Sequence, residues 1–171
     1  MIEAVRKRRS VRTFTDQPVE PEKLEQILRA GMQAPSAHNT QPWEFLVVTD
    51  EADKKAVSEM SPYAKMAAKA PMLIIVCGNR ERGLEDGEGY SWWPEDMAAC
   101  TENMLLQIAE EGLGGVWLGF YPKKDRVQKV KDHFCLPDHI VPFSVVVLGH
   151  GNADYTGTDR FDPAKIHYGR F

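Results

Sequence analysis

Residues 71–78, PMLIIVCG, are the stretch that most restricts what this chain can fold into. The run is too short for an ordinary buried helix, and Ile74, Ile75 and Val76 are β-branched. It therefore predicts a strand covered on both faces. VPFSVVVLGHG at 141–151 predicts another buried strand. EFLVVT at 44–49 predicts a further strand, and GGVWLGFYP at 114–122 predicts a strand or strand-like segment.

Helical patterns separate these runs. Ile2 and Val5 suit a short opening helix that runs into a basic turn. Pro21 fits a first helical turn, and Leu24, Ile27 and Leu28 keep helical spacing to about Met32. Asp50 is a good N-cap for a helix from Glu51 to about Lys69, broken near Ser61–Pro62. Pro94, Glu95 and Asp96 open the clearest helix, with Met97, Cys100, Met104, Leu105 and Ile108 on its apolar face and Gly112 set to stop it. Residues 123–133 suit a short amphipathic helix, and the polar 79–91 stretch reads as loop. The predicted order is α α β α β α β α β, an α+β or α/β sandwich with a largely covered sheet. A chain of 171 residues fits one domain, 1–171, with a tail from about residue 152. That tail carries Tyr155, Phe161, Ile166, Tyr168 and Phe171, which predicts that it packs on something, a partner subunit being one candidate.

Composition narrows the function classes. Hydrophobic residues make up 43% and charged residues 27%, as expected of a soluble globular protein, and the formal net charge of −4 argues against general binding to nucleic acid or anionic membranes. No apolar signal core follows Met1, and no run approaches the ~18 apolar residues of a membrane span. A cytoplasmic location is the expectation. Cys77, Cys100 and Cys135 form no CxxC pair and no zinc pattern, so reduced, mostly buried thiols are expected.

Three segments and one tail residue could carry chemistry. RKRRSVR at 6–12 places Arg6, Arg8, Arg9 and Arg12 around Ser10. Guanidinium forks match phosphate geometry and a serine hydroxyl adds a donor; a solvated basic face is the competing reading. APSAHNTQPWEF at 34–45 offers Asn39 and Gln41, each with a donor and an acceptor suited to the edge of a heterocycle, on a loop stiffened by Pro35 and Pro42. A helix-to-strand connector satisfying its own backbone would look similar. His38 has no partner at ligand spacing, so no metal role is expected. GLGGVWLGFYP at 112–122 has four glycines that let backbone approach a flat ligand, or that serve a helix stop and a tight turn. It lacks the GxGxxG order of a dinucleotide site and follows a helix where that fingerprint follows a strand. Arg160, in TDRF, is read as solvated when taken alone.

Taken together and in this order, RRSVRTF, APSAHNTQPWEF, EDMAACTENMLLQIAEEGLG, GVWLGFYP and the tail with DRF and KIHYGRF resemble the FMN-dependent nitroreductase family over nearly the whole chain. The resemblance implies an α/β/α sandwich with a central, mostly antiparallel sheet, in an intertwined homodimer with FMN at the subunit interface. It implies that Arg8 and Ser10 contact the phosphate with Arg9 adjacent, and that Arg12 lies near the pyrimidine edge of the flavin. Pro35, Ser36, Ala37 and Asn39, with Gln41 in the same motif, would cover the flavin of the other subunit. Trp117, Leu118 and Gly119 would lie along the ring, with Arg160 at the phosphate and Lys165 a second candidate there. No side chain need act as a catalytic nucleophile.

The activity so implied is hydride transfer from NADH or NADPH to FMN, then to nitroaromatics, quinones or other electron-poor planar acceptors by a ping-pong mechanism. The same cradle would serve a reductive dehalogenase, a flavin-consuming enzyme or a non-catalytic flavin store. A dimeric scaffold without cofactor would need separate explanations for the arginine cluster, the Asn/Gln loop and the glycine segment.

Overall fold

A computed structural model of the chain describes residues 1–83, 91–151 and 159–171. The elements follow the expected order: α1 (Glu3–Lys7), α2 (Pro21–Met32), β1 (Trp43–Val48), α3 (Glu51–Glu59), β2 (Met72–Asn79), α4 (Trp93–Glu110), β3 (Gly114–Gly119), α5 (Lys124–Phe134) and β4 (Ile140–Gly149). The expected break at Ser61–Pro62 is present, because α3 ends at Glu59 and a short 3-10 turn, Lys65–Lys69, follows. Asp50 caps α3 by accepting the N–H groups of Ala52 and Asp53. Gly112 ends the α4 region at φ 72, a left-handed conformation that glycine adopts without a Cβ penalty. Tyr155 and most of the 79–91 loop lie outside the described residues.

Among the described residues four strands form one antiparallel sheet in the order β1-β2-β4-β3. The two runs read as buried strands are the central pair, and β1 and β3 are the edges. One face packs on α2 and α4, where Ile74, Val76, Val146 and Leu148 meet Ile27, Met97, Met104 and Ile108. The other face packs under α3 and α5, where Leu73, Ile75, Val145 and Val147 meet Val57 and Val130. This is the α/β/α sandwich that the covered strands require.

Two close approaches fix the layers. A Cβ on Gly31 in α2 would meet Met104 Cγ at 2.8 Å, so the missing side chain lets α2 lie close on α4. Gly78 at the end of β2 lies under Trp93, which is buried and packed edge-on to Phe143 and Tyr121. Trp93 is therefore core, while its neighbour Trp92 is exposed.

Two of the three thiols are buried, in line with the expectation of mostly buried cysteines. All three cysteines are free; Cys77 and Cys100 are buried and Cys135 is exposed. Burial pushes the Cys77 and Cys100 thiols up to about 12, so neither forms a thiolate near neutral pH. A thiol titration of the native protein should therefore label Cys135 alone, with the other two reacting only after denaturation. Fast labelling of a second thiol would show that the core opens at Cys77 or Cys100.

Candidate functional site

The 10–15 segment runs along the outer edge of β3. Ser10 bridges Gly115 in parallel, the Val11 N–H donates to the Gly115 carbonyl at 3.0 Å, and the Thr15 N–H donates to the His150 carbonyl. Gly114 makes this possible, since a Cβ there would stand 2.6 Å from Val11 Cγ1. Buried Val11 thus anchors a strip with Arg8, Arg9 and Arg12 close to it in sequence.

Two hollows flank this strip. One, of about 390 Å³, is lined by Lys7, Arg8 and Arg9 with the Gly112–Gly115 turn. There the Arg8 guanidinium lies 3.4 Å from the Glu102 carboxylate of α4, and Arg9 donates to the Arg8 carbonyl at 2.7 Å. The other, of about 520 Å³, brings Arg12, Trp117, Leu118 and Gly119 together with Ser61, Tyr63, Lys65 and Arg126. Among the described residues its lining holds the cations Arg12, Lys65 and Arg126 and no carboxylate. Such a wall favours an anion or a group that gains negative charge.

Backbone direction matters in this second hollow. In an antiparallel edge strand, alternate residues turn both N–H and C=O away from the neighbour. The Gly115 carbonyl accepts from Val11 and the Gly119 carbonyl accepts from Arg126 Nη1 at 2.9 Å, so both face outward. Trp117 lies between them in the same parity. The N–H groups of Trp117 and Gly119 therefore point away from β4, along the outer edge of β3.

The four glycines of the 112–122 segment divide cleanly. Gly112 stops a helix, Gly114 accommodates Val11, and Gly115 packs on Ile108. Gly119 does none of these. It is exposed, its φ lies outside the left-handed range, and a Cβ there would meet nothing within 4 Å. Among the described residues nothing asks for glycine there, and the Cβ direction is open.

The 35–41 loop is built otherwise. His38, Asn39 and Gln41 have φ of 51, 57 and 50, left-handed values that cost of order 1 kcal/mol or more for non-glycine residues. Gln41 N–H donates to Ser36 Oγ at 3.0 Å, Gln41 Nε2 donates to Asn39 Oδ1 at 2.9 Å, and Ala37 N–H donates to Asp96 Oδ1 at 2.9 Å. Burial raises the Asp96 carboxyl above its ordinary range against the opposing Ala37 bond, with Glu95 adding to the rise. Asn39 and Gln41 remain exposed.

The chain does not bring all the expected residues to one place. Pro35, Ser36, Ala37, Asn39 and Gln41 precede edge strand β1, whereas Trp117–Gly119 end edge strand β3. Three inter-strand spacings, about 14 Å, separate those edges. Neither hollow includes any of the loop residues. Arg160 and Lys165 are exposed on the tail, outside both hollows, and Lys165 lies 3.8 Å from Asp162. Sequence reasoning missed Lys65, Arg126 and Tyr63, which stand out only once the chain turns at Ser61–Pro62. Arg126 lies 5.7 Å from the centre of the Tyr63 ring. Among the described residues no cluster of His, Cys, Asp or Glu could hold a metal, and no helix is long and apolar enough to cross a membrane.

Comparison with known proteins bears on the family and the fold. The profile described as the nitroreductase family matches residues 5–67 and 58–150. A protein of Methanothermobacter thermautotrophicus, provisionally named NADH dehydrogenase/NAD(P)H nitroreductase, is 40% identical over 98% of this chain and 85% of its own length. A crystal structure from Clostridium acetobutylicum, provisionally named NADH oxidase, superposes with a TM-score of 0.92 at 40% identity, covering 99% of this chain and 100% of the other. An FMN-dependent nitroreductase from Clostridium difficile R20291 superposes with a TM-score of 0.89 at 26% identity over the full length of both chains. With its sandwich and its profile match in agreement, the chain belongs to the nitroreductase family.

Proposed function

We propose that this chain is an FMN-dependent oxidoreductase that takes hydride from NADH or NADPH and reduces nitroaromatics, quinones or similar electron-poor acceptors in ping-pong fashion. The C. difficile relative is FMN-dependent by name and the M. thermautotrophicus relative carries NAD(P)H in its name. The observation that carries the reading is the hollow at β3. It combines a cationic wall, outward N–H groups and a glycine whose Cβ space is free.

The residues present fit FMN. Arg8 and Ser10 would hold the phosphate by charge-assisted and hydroxyl hydrogen bonds, with Arg9 beside them and Arg160 reaching in from a tail. Arg12 would stand at the pyrimidine edge, where a cation favours negative charge. The backbone of Trp117, Leu118 and Gly119 would orient the ring edge, and Gly119 would leave room for it. FMN, when bound, supplies a hydride acceptor and donor at N5. The chain's task is then to orient donor and acceptor in turn over one ring face.

The separation of the two edges supports a homodimer. Pro35, Ser36, Ala37, Asn39 and Gln41 of one chain would cover the flavin held by its partner, and the exposed Phe161, Ile166, Tyr168 and Phe171 would pack on that partner.

An anaerobic absorbance titration tests the activity. The band near ~450 nm of the FMN-loaded protein should bleach on adding NADH or NADPH and return on adding a quinone or nitroaromatic. Tight FMN binding with no bleaching by either nucleotide would favour a flavin store over a reductase. The carry-over at the phosphate has its own test. Arg8→Ala should lower FMN affinity about tenfold or more, the loss of a contact worth roughly 1.5–3 kcal/mol. Unchanged affinity in a folded dimer would move the phosphate elsewhere.

A further inference from the structure

We propose that Asp96 is a positioning residue for the loop of residues 36–41, holding it in its ligand-ready shape before any ligand arrives. The inference rests on the flavin reading above. It concerns how the covering loop is kept in place, which none of the flavin contacts explains.

Asp96 lies in the first turn of α4 and is only 5% exposed. Its side chain accepts the Ala37 N–H from the loop, 59 residues away in sequence. Among the described residues, the remaining hydrogen bonds of 36–41 run within the loop. Asn39 N–H donates to the Ser36 carbonyl, Thr40 N–H to the Ala37 carbonyl, Gln41 N–H to Ser36 Oγ, and Gln41 Nε2 to Asn39 Oδ1. Internal bonds close a turn on itself but do not fix where the turn stands on the body. Asp96 supplies that anchor.

Two features make the anchor necessary. His38, Asn39 and Gln41 are non-glycine residues in left-handed backbone, a shape that persists only where the surroundings over-determine it. A loop that is to cover a ligand held by another chain also gains affinity by being ordered in advance. The helix suits a buried acid there, since the N-terminal end of 18-residue α4 favours negative charge. The second oxygen, Asp96 Oδ2, and Thr40 Oγ1 of the loop are both buried with no hydrogen-bond partner among the described residues. The Ala37 bond is thus the hydrogen bond that Asp96 makes to the loop.

The test uses the full-length protein, stripped of flavin, with FMN itself as the probe. Asp96→Ala should raise the FMN dissociation constant about tenfold, while Asp96→Asn, which keeps an acceptor oxygen, should stay near the parent value. Melting temperature and oligomeric state are followed in parallel, so that lost affinity in a folded protein is separated from lost fold. In the flavin-free parent, the Ala37 amide should exchange slowly with solvent, and Asp96→Ala should expose it. A folded Asp96→Ala protein with parental FMN affinity and an unchanged Ala37 amide would overturn the proposal. If the parent itself binds no FMN, the flavin reading fails and the exchange measurement alone decides the role of Asp96. If Asp96→Ala does not fold, Ala37→Pro deletes the same bond from the donor side. Ser36, at φ −141 and ψ 152, is extended, as a residue before proline should be. That variant should weaken FMN binding similarly, and unchanged affinity would again overturn the proposal.

Discussion

Gly119→Val should leave the fold intact and lower FMN affinity by about 10- to 100-fold. The fold is insensitive because a Cβ at 119 meets nothing within 4 Å and the φ is ordinary. Valine also suits an edge-strand position, so stability should stay within ~0.5 kcal/mol of the parent. The ligand is sensitive because the same empty direction is where the ring edge would lie. Forcing a rigid plane off by two methyl groups costs about 1–3 kcal/mol, which sets the range of affinity loss. Gly114→Val is the control in reverse, since its Cβ would strike Val11 and the strip along β3 would be displaced. Fluorescence titration of FMN and thermal melting, run on the same preparations, separate the two effects. Full FMN affinity in Gly119→Val would take the ring away from this strand.

Gly78→Ala should do the opposite and unfold the protein early. The added Cβ would stand 2.4 Å from Trp93 Cε3 and 2.9 Å from Cζ3. The indole is rigid, and Phe143 and Tyr121 pack against it, so it cannot give. Overpacking of this kind costs about 1–3 kcal/mol or somewhat more. At the upper figure the melting temperature should fall by roughly 6–12 °C, at fixed protein concentration. Differential scanning calorimetry reads this directly. A shift under 2 °C would mean that Trp93 has room to move and does not clamp α4 to β2.

The element order was legible because each strand run has its own apolar signature and each helix its own stop. PMLIIVCG and VPFSVVVLGHG announced the central strands, since only a doubly covered strand tolerates a continuous apolar run. Their neighbours were not legible. Nothing in EFLVVT or GGVWLG says that these two strands lie at opposite edges, because edge position depends on long-range pairing. The loop at 35–41 drew attention through its amides, but its three left-handed residues were hidden, as none is glycine. Lys65 and Arg126 looked like ordinary helix charges, and only the turn at Ser61–Pro62 and the fold of α5 bring them beside Trp117. Asp96 stood out only as part of the Pro94–Asp96 helix start; its hold on Ala37 spans 59 residues and leaves no local trace.

The central claim is that each flavin site is assembled from two chains, one giving the β3 hollow and the other the 35–41 loop. Mixed dimers test it most directly. One chain carries Gly119→Val, which fills the hollow; the other carries Asn39→Trp, which puts a large side chain at the exposed loop. Each homodimer alone should bind FMN poorly. Unfolding and refolding the two together should make about half the dimers mixed, each with one unaltered site, so FMN binding should recover to about a quarter of parental sites. No recovery, in a mixture shown by mass to contain the mixed dimer, would mean that hollow and loop act on one flavin within a single chain, and would contradict the account.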